Sequence, residues 1–333
     1  IPEEDRDYYL ERRYPAFGNL VPRDVASRAA KERCDKGYGV NNTGLAVFLD
    51  FSEAINRLGK DVVAQRYGNL FDMYEEITDV SPYENPMMIY PAIHYTMGGI
   101  WVDYELMTSI KGLFAIGECN FSDHGANRLG ASALMQGLAD GYFVLPYTIQ
   151  NYLADQITVP RFSTDLPEFA AAEKAIQDKI DWMMNIKGKK SVDSIHKELG
   201  HVMWEYVGMG RTAEGLKEGL KRLKEIRKEF EKELFIPGEK EGMNVELDKA
   251  IRLYDFITMG ELVAYDALNR NESCGGHFRE EYQTEEGEAK RDDENYFYVA
   301  CWEYQGSDEK EPVLLKEPLV YEAIKVQTRN YKS

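Results

Sequence analysis

Residues 112–134 read G-L-F-A-I-G-E-C-N-F-S-D-H-G-A-N-R-L-G-A-S-A-L, which joins an apolar run to a polar loop. The apolar run over 112–119 predicts a short buried strand, and a helix is expected from about Ser132. A helix N-terminus offers unpaired backbone N–H groups and partial positive charge, which suit an anion or an electron-rich ring edge. The alternative is a tight strand-to-helix connection in which Arg128 pairs with a surface carboxylate.

The composition allows two or three folded domains and excludes several classes of protein. The chain has 333 residues, 44% hydrophobic and 29% charged, which is too apolar for a disordered chain. No apolar stretch approaches the roughly 20 residues of a membrane helix. The net charge of -18 disfavours a nucleic-acid groove, although a local Arg and His cluster still suits an anionic substrate. The four cysteines lack C-x-x-C spacing, which favours a reduced compartment over disulfides or a zinc site.

Changes in pattern divide the chain into four zones. The zones are about 1–90, 87–156, 166–270 and 271–333. The first zone predicts a helix over 24–34, a strand over 45–51 and a helix from Ser52 towards Tyr67. The last zone is rich in loops and contains a candidate strand over 296–303.

The third zone is the most regular and predicts an antiparallel bundle of four helices. The expected helices cover 168–184, 192–207, 212–234 and 245–269, with glycines in the loops between them. Apolar residues at helical spacing, among them Leu216, Leu223 and Phe230, indicate a core and not a cofactor site.

Five sequence blocks, in fixed order, resemble one family of flavoproteins. The blocks are P-R-D-V-A-S-R-A (22–29), H-Y-T-M-G-G (94–99), G-L-F-A-I-G-E (112–118), H-G-A-N-R-L-G (124–130) and R-N-E-S-C-G-G-H (270–277). Together they are similar to the flavoprotein subunit of succinate dehydrogenase and fumarate reductase. Any one block is a weak signal, whereas five in order are specific.

The resemblance implies a fold of class α/β plus α. Residues 1–93 would be the latter part of the capping (substrate) domain, and 94–157 the closing segment of the FAD-binding domain. An antiparallel helical bundle over 158–270 and a small C-terminal domain over 271–333 would follow. The family's N-terminal G-x-G-x-x-G segment and its flavin-linked histidine cannot be located in this sequence. The chain therefore reads as an internal segment of a longer polypeptide, expected to be inactive alone and not to retain FAD.

The resemblance assigns substrate binding and proton transfer to three residues. His94 and Arg128 would hold the carboxylates of a four-carbon dicarboxylate, since a guanidinium fork binds a carboxylate with two hydrogen bonds. Arg23 would be the catalytic residue that transfers the proton, with Arg28 as a neighbouring positive charge. Because arginine is normally always protonated, Arg23 would need a relay that reloads it. The alternative for Arg23 is a surface ion pair at the start of a helix.

Four further positions are placed at the flavin by the resemblance. They are Glu118, Tyr95, Ala133 and Leu134. Glu118 would accept hydrogen bonds from the ribityl chain, and its alternative is a helix cap or a surface turn. The helix start would face the isoalloxazine ring, where its dipole favours the anionic reduced flavin. Many family members have G-N-S-L where this chain has A-S-A-L over 131–134, so contacts there are expected from the backbone or from the Ser132 hydroxyl.

The block at 270–277 departs from the family pattern R-x-E-S-R-G-x-H. Cys274 stands in place of its second arginine, so one charged contact is expected to be missing. No metal site is expected, because Cys274 has no other cysteine or clear ligand set nearby.

The implied function is interconversion of fumarate and succinate by hydride transfer at FAD. Electrons would be exchanged with an iron–sulfur subunit and, through the complex, with a membrane cytochrome b anchor. The expected location is peripheral, at the cytoplasmic face of the bacterial inner membrane, with no nucleic acid as partner. Two alternatives stay open: an L-aspartate oxidase-like flavoenzyme, which shares the H-Y and H-G-A-N-R-L blocks, and a non-catalytic module that binds an electron-transfer partner.

Overall fold

Residues 6–121, 124–306, 310–328 and 331 are described by the computed structural model. Contacts divide them into two units. The first unit contains the described residues up to His94 together with Thr328 and Tyr331, and the second those from Tyr95 to Gln327. None of the helices in these ranges is long and apolar enough to cross a membrane. The assignment of four family domains stays a prediction.

The first unit is built from four helices and a small sheet. The helices are α1 (Tyr9–Arg13), α2 (Arg23–Arg33), α3 (Ser52–Leu58) and α4 (Lys60–Thr78), and β1 (Val47–Leu49) pairs antiparallel with β2 (Met87–Ile89). Pro22 lies directly before α2, where its missing N–H costs no helical hydrogen bond. Val25 and Ala29 of α2 are buried in a small apolar cluster with Tyr14. This packing fixes α2 and leaves Arg23 exposed at its first position.

The helix expected from Ser52 towards Tyr67 is broken in two. Gly59 has φ 87° and ψ 151°, a conformation that residues with a side chain rarely adopt, and it separates α3 from α4. The second piece then continues beyond the expected end to Thr78 because its apolar face is buried. Val63 and Phe71 of α4 pack with Met87 of β2.

The second unit is largely helical. Its helices are α5 (Ser132–Ala139), α6 (Leu145–Ala154), α7 (Pro167–Asn185), α8 (Val192–Val202), α9 (Ala213–Glu233), α10 (Val245–Asn269) and α11 (Asp293–Tyr296). Single π-helical turns follow α5 over Asp140–Val144 and α8 over Met203–Val207. Strand β3 (Lys190–Ser191) pairs in parallel with β4 (Leu234–Phe235), and β5 (Tyr298–Glu303) pairs antiparallel with β6 (Val313–Pro318). The helical content expected from the sequence is confirmed.

Helices α7 to α10 share one hydrophobic core. On α9, the fully buried side chains include Leu216, Leu223 and Phe230, which lie on one face at helical spacing. At the margin of the core, the Arg227 guanidinium of α9 donates two hydrogen bonds, of 2.7 and 3.1 Å, to the Glu261 carboxylate of α10. This two-pronged pair fixes the register of the two helices.

The buried strand predicted over 112–119 is wrong. Among the described residues, the only β-bridge of this stretch joins Phe114 to Met107, and Gly117–Cys119 form a 3₁₀ turn. An apolar run becomes a strand only where a neighbouring strand supplies hydrogen-bond partners, and the run itself cannot provide them. Glu118 therefore lies in a turn and not at the end of a strand.

A network of buried charges ties the end of α10 to the residues that follow it. Arg279 is almost fully buried and donates a 3.0 Å hydrogen bond to the Ala267 carbonyl in the last turn of α10. The Arg270 guanidinium pairs with the buried Glu272 carboxylate at 2.7 Å and donates to the Tyr298 carbonyl at 2.9 Å. Helix α10 and strand β5 are thereby joined through arginine side chains.

His277 is held in a single tautomer by this network. Its Nε2 lies 2.9 Å from the Arg270 carbonyl, and its Nδ1 lies 2.7 Å from Nη1 of Arg211. Because a carbonyl only accepts and a guanidinium only donates, Nε2 carries the proton and Nδ1 accepts. Burial, followed by the nearby Arg211 charge, lowers the pKa of His277 to about 4. The imidazole is therefore neutral in the folded protein at neutral pH.

Helices α5 and α6 and the turn between them expose a group of large apolar side chains. The group comprises Leu134, Met135, Leu138, Tyr142, Phe143 and Tyr147. Apolar surface of this extent is typical of a face that contacts another segment of polypeptide.

Replacing Leu223 by alanine is expected to lower the free energy of unfolding by about 2–5 kcal/mol, because it leaves a cavity among packed helices. Leu223 is 0% exposed. The control is Lys224→Ala on the exposed side of the same helix, with an expected change within about 0.5 kcal/mol. Thermal unfolding followed by circular dichroism measures both variants. Equal losses of stability would contradict the assignment of the core.

Acidification is expected to destabilise the chain through His277. The folded state holds this imidazole neutral, with a pKa of about 4, whereas the unfolded chain binds the proton near pH 6.5. Stability is therefore lost as pH falls from about 6.5 towards 4, by about 2 kcal/mol at pH 5. In His277→Gln, the midpoint of thermal unfolding should fall less between pH 7.5 and pH 5. The exposed His196→Gln serves as the control and should keep the wild-type difference.

Candidate functional site

Polar side chains from three of the sequence blocks meet in the second unit. They are Tyr95, Glu118, His124 and Arg128. The Glu118 Oε1 atom lies 3.2 Å from His124 Nε2 and 3.9 Å from Arg128 Nε. Arg128 Nε donates a 2.7 Å hydrogen bond to the Tyr95 hydroxyl. One carboxylate thus faces an imidazole and a guanidinium, with a phenol beside them.

The Arg128 side chain is oriented by several contacts. Its Cζ lies 5.0 Å from the centre of the Tyr95 ring, and its backbone N–H donates to Met97 Sδ at 3.1 Å. Nη1 donates a long, 3.4 Å hydrogen bond to the Leu129 carbonyl. Nη2 makes no hydrogen bond within the described part of the chain, and 19% of the side chain is exposed. The edge of the guanidinium that carries the two Nη atoms is therefore the one that can receive a ligand carboxylate.

The Tyr95 hydroxyl connects Arg128 to Glu118. Burial raises the pKa of Tyr95, a hydrogen bond and the negative charge of Glu118 raise it further, and Arg128 opposes both. The phenol thus stays protonated at neutral pH and accepts the hydrogen bond from Arg128 Nε. This arrangement commits the Nε edge of the guanidinium to the protein.

The backbone of the H-Y-T-M-G-G block lies directly against the turn that carries Glu118. The Ile100 N–H donates to the Cys119 carbonyl at 3.0 Å, and the Phe121 N–H donates to the Ile100 carbonyl at 2.9 Å. A Cβ atom on Gly99 would lie 2.5 Å from the Cys119 carbonyl oxygen, so only glycine fits. This close approach brings the H-Y-T-M-G-G block into contact with the end of the G-L-F-A-I-G-E block.

The first turn of α5 presents mainly backbone. Ser132 begins the helix, but its hydroxyl donates to the Leu129 carbonyl at 2.7 Å and is used within the chain. Ala133 and Leu134 follow in the same turn, where N–H groups have no partner inside the helix. The sequence left two sources of contact with the flavin open, the backbone and the Ser132 hydroxyl. Because the hydroxyl is already used, the geometry favours the backbone.

Arg23 and His94 belong to the first unit. Arg23 is exposed at the start of α2, and it forms no hydrogen bond or ion pair with the residues that the structure describes. The surface ion pair considered as an alternative is thus absent from that part of the chain. His94 is also exposed and closes the first unit, whereas Arg128 lies in the second. A clamp formed jointly by His94 and Arg128 stays a prediction.

Two residues of the cluster were missed by the sequence reasoning. His124 packs its side chain against Glu118, and Met97 accepts the backbone N–H of Arg128. Both residues lie inside the quoted blocks. Their position beside residues with assigned roles was the sequence feature that could have identified them. The described residues contain no group of three or more His, Cys, Asp or Glu arranged to hold a metal ion. Burial also raises the pKa of the Cys274 thiol, which makes it a poor ligand or nucleophile.

Two protein-family models match the chain. A FAD binding domain matches 10–134, and a fumarate reductase flavoprotein C-terminal domain matches 196–331. The chain is therefore part of a flavoprotein, and FAD is confirmed as the cofactor of its family.

Individual relatives narrow this class. The succinate dehydrogenase flavoprotein subunit of Bacillus subtilis is 34% identical over 83% of this chain and 46% of the relative. The fumarate reductase flavoprotein subunit of a Serratia species is 32% identical over 84% of this chain and 45% of the relative. A structure of Escherichia coli quinol fumarate reductase matches with a TM-score of 0.80 at 25% identity, over 97% of this chain and 54% of that one.

The chain belongs to the succinate dehydrogenase and fumarate reductase flavoprotein family, and the resemblance of the five blocks is confirmed. It spans about half the length of the curated relatives it matches.

Proposed function

We propose that the intact flavoprotein containing this chain interconverts fumarate and succinate, with FAD supplying the hydride exchange when bound. The observation that carries this proposal is the cluster in which Glu118 lies 3.2 Å from His124 and 3.9 Å from Arg128. The chain is similar to relatives named as a succinate dehydrogenase and a fumarate reductase flavoprotein subunit. These two activities are the same reaction in opposite directions.

Arg128 is proposed to bind one carboxylate of the dicarboxylate. With Nε committed to Tyr95 at 2.7 Å, a ligand carboxylate would approach Nη1 and Nη2, whose spacing matches its two oxygens. His94 would bind the second carboxylate. Two cations on separate blocks would then hold a dianion in one orientation, as positioning for hydride transfer requires.

The residues present fit FAD by the chemistry of their donors and acceptors. The Glu118 side chain keeps 37% of its surface exposed, so its carboxylate retains the capacity to accept hydrogen bonds from a hydroxyl-bearing chain. The first turn of α5, with Ala133 and Leu134, offers backbone N–H groups and the positive end of a helix dipole. Tyr95 adjoins Glu118 and would line the same surface.

Arg23 is proposed to transfer the proton. Hydride addition at one alkene carbon of fumarate leaves excess electron density on its neighbour, where an Arg23 N–H would deliver H⁺ to complete succinate. Succinate oxidation would return the proton to Arg23. Because a guanidinium is strongly basic and normally stays protonated, this step needs a relay that reprotonates Arg23 at once. Arg23 is exposed and has no side-chain partner among the described residues, so a proton relay could reach its guanidinium.

The electrons would pass to or from an iron–sulfur subunit and, through it, a membrane cytochrome b anchor. One structural relative is a quinol fumarate reductase, and a quinol substrate agrees with this route. The subunit would lie peripherally at the cytoplasmic face of the bacterial membrane. The capping segment would comprise 1–93 and the closing part of the FAD-binding domain 94–157. In the intact protein, further polypeptide would cover the apolar face of α5 and α6.

Arg128→Lys in the intact flavoprotein is expected to raise the KM for fumarate about tenfold or more, because lysine cannot donate two parallel hydrogen bonds to one carboxylate. FAD content per protein should be unchanged. The exposed Arg161→Lys is the matched control. Steady-state reduction of fumarate measures the effect, and L-aspartate is tested in parallel. Turnover of L-aspartate without turnover of fumarate or succinate would assign the protein to the alternative flavoenzyme.

Arg23→Lys is expected to reduce turnover of fumarate by about a thousandfold or more while the flavin absorbance spectrum stays unchanged, because the proton donor is displaced. Arg57→Lys, at another exposed arginine on α3, should retain wild-type turnover. Comparable activity of Arg23→Lys and wild type would remove Arg23 from the mechanism and leave the binding role of Arg128 standing.

A further inference from the structure

The turn over 274–277 contacts the loop that carries Arg128. The Gly276 N–H donates a 2.8 Å hydrogen bond to the Ala126 carbonyl. A Cβ atom built on Gly275 would lie 2.1 Å from the same carbonyl oxygen, and Gly275 has φ +57°. The backbones of the turn and the loop are therefore in direct contact, with no room for a side chain at Gly275.

The same turn also contacts the block that begins at His94. A Cβ atom on Gly276 would lie 3.0 Å from Met97 Cε. Met97 Sδ accepts the backbone N–H of Arg128 at 3.1 Å. The turn thus reaches Arg128 along two routes: through Ala126, two residues before it, and through Met97.

The turn itself is firmly anchored. Two backbone hydrogen bonds, of 2.8 and 3.1 Å, close it between Cys274 and His277. The His277 ring is fixed between Arg211 and the Arg270 carbonyl. Since Arg211 precedes α9 and Arg270 follows α10, the turn is attached to the helical bundle and transmits its position.

We infer that Gly275 and Gly276 are positioning residues, which set the placement of the Arg128 guanidinium for a dicarboxylate by holding Ala126 and Met97. Neither glycine touches the substrate in this arrangement. The inference rests on the proposed function, in which Arg128 binds a carboxylate. The inference gives the R-N-E-S-C-G-G-H block a role in substrate binding. This block lies about 150 positions after Arg128 in the sequence.

The test compares three glycine-to-alanine variants in the intact, FAD-loaded flavoprotein. Gly275→Ala places a methyl group against the Ala126 carbonyl and is expected to raise the KM for fumarate about tenfold. Gly276→Ala meets only the flexible end of Met97, so an increase of about threefold is expected. Gly306→Ala is the control for backbone strain, since Gly306 has φ +80° and nothing within 4 Å of its Cβ position. It should leave KM unchanged.

Two further readouts separate positioning from loss of folded protein. The inhibition constant of malonate, a saturated dicarboxylate, should rise in parallel with KM, while FAD per protein stays constant. Partial unfolding would instead lower FAD content and apparent kcat at unchanged KM. In an Arg128→Lys background, Gly275→Ala should add less than about a twofold change, because its effect passes through the residue already altered.

The possible outcomes separate failure of the positioning role from failure of the proposed function. If Arg128→Lys raises KM but Gly275→Ala and Gly276→Ala both behave like Gly306→Ala, the positioning role is overturned and the function stands. If Arg128→Lys leaves KM unchanged, both fail. Should Gly275→Ala yield no FAD-loaded protein, the milder Gly276→Ala decides, since its backbone carries no positive-φ strain.

Discussion

The hydrogen bond from the Gly276 N–H to the Ala126 carbonyl, 2.8 Å long, joins the helical bundle to the loop of the candidate site. A backbone hydrogen bond constrains both distance and direction, so it locates the loop more tightly than an apolar side-chain contact would. The approach is possible only because Gly275 lacks a Cβ, which would lie 2.1 Å from the carbonyl oxygen. The placement of Arg128, two residues beyond Ala126, follows from this contact.

The rigidity of that contact comes from three arginines that surround one histidine. Arg211, Arg270 and Arg279 lie around a neutral His277, and burial lowers the pKa of Arg211 to about 10, still well above neutral pH. Arg270 pairs with Glu272 at 2.7 Å, and Arg279 pairs with Glu281 at 3.2 Å. Arg279 also donates to the carbonyls of Ala267 and Leu268. The last carbonyls of a helix lack partners and carry partial negative charge, so the end of α10 is a favourable site for a cation. The arginine thereby caps the helix and fixes the chain that leaves it.

The local sequence pattern was sufficient to predict the helical bundle but not the candidate site. Helix α10 has the predicted bounds of 245–269 because a long amphipathic helix carries its signal in its own spacing. The run over 112–119 was misassigned because a strand needs a neighbouring strand as hydrogen-bond partner, and the local sequence does not show whether one is present. Tyr95, Glu118 and Arg128 were proposed together from the resemblance. The contact of Gly276 with Ala126 was not foreseen, since nothing in the local sequence indicates which distant backbone a pair of glycines will meet.

The orientation of Arg128 also bears on how an acidic protein would bind the proposed dianion. The chain carries a net charge of -18, and the Glu118 carboxylate lies only 3.9 Å from Arg128 Nε. If the guanidinium faced its ligand through that edge, the ligand would compete with Glu118. Tyr95 occupies Nε at 2.7 Å, so that edge of the guanidinium is committed to a neutral phenol. The opposite edge then keeps its positive field, and at short range such a local field outweighs the distant net charge.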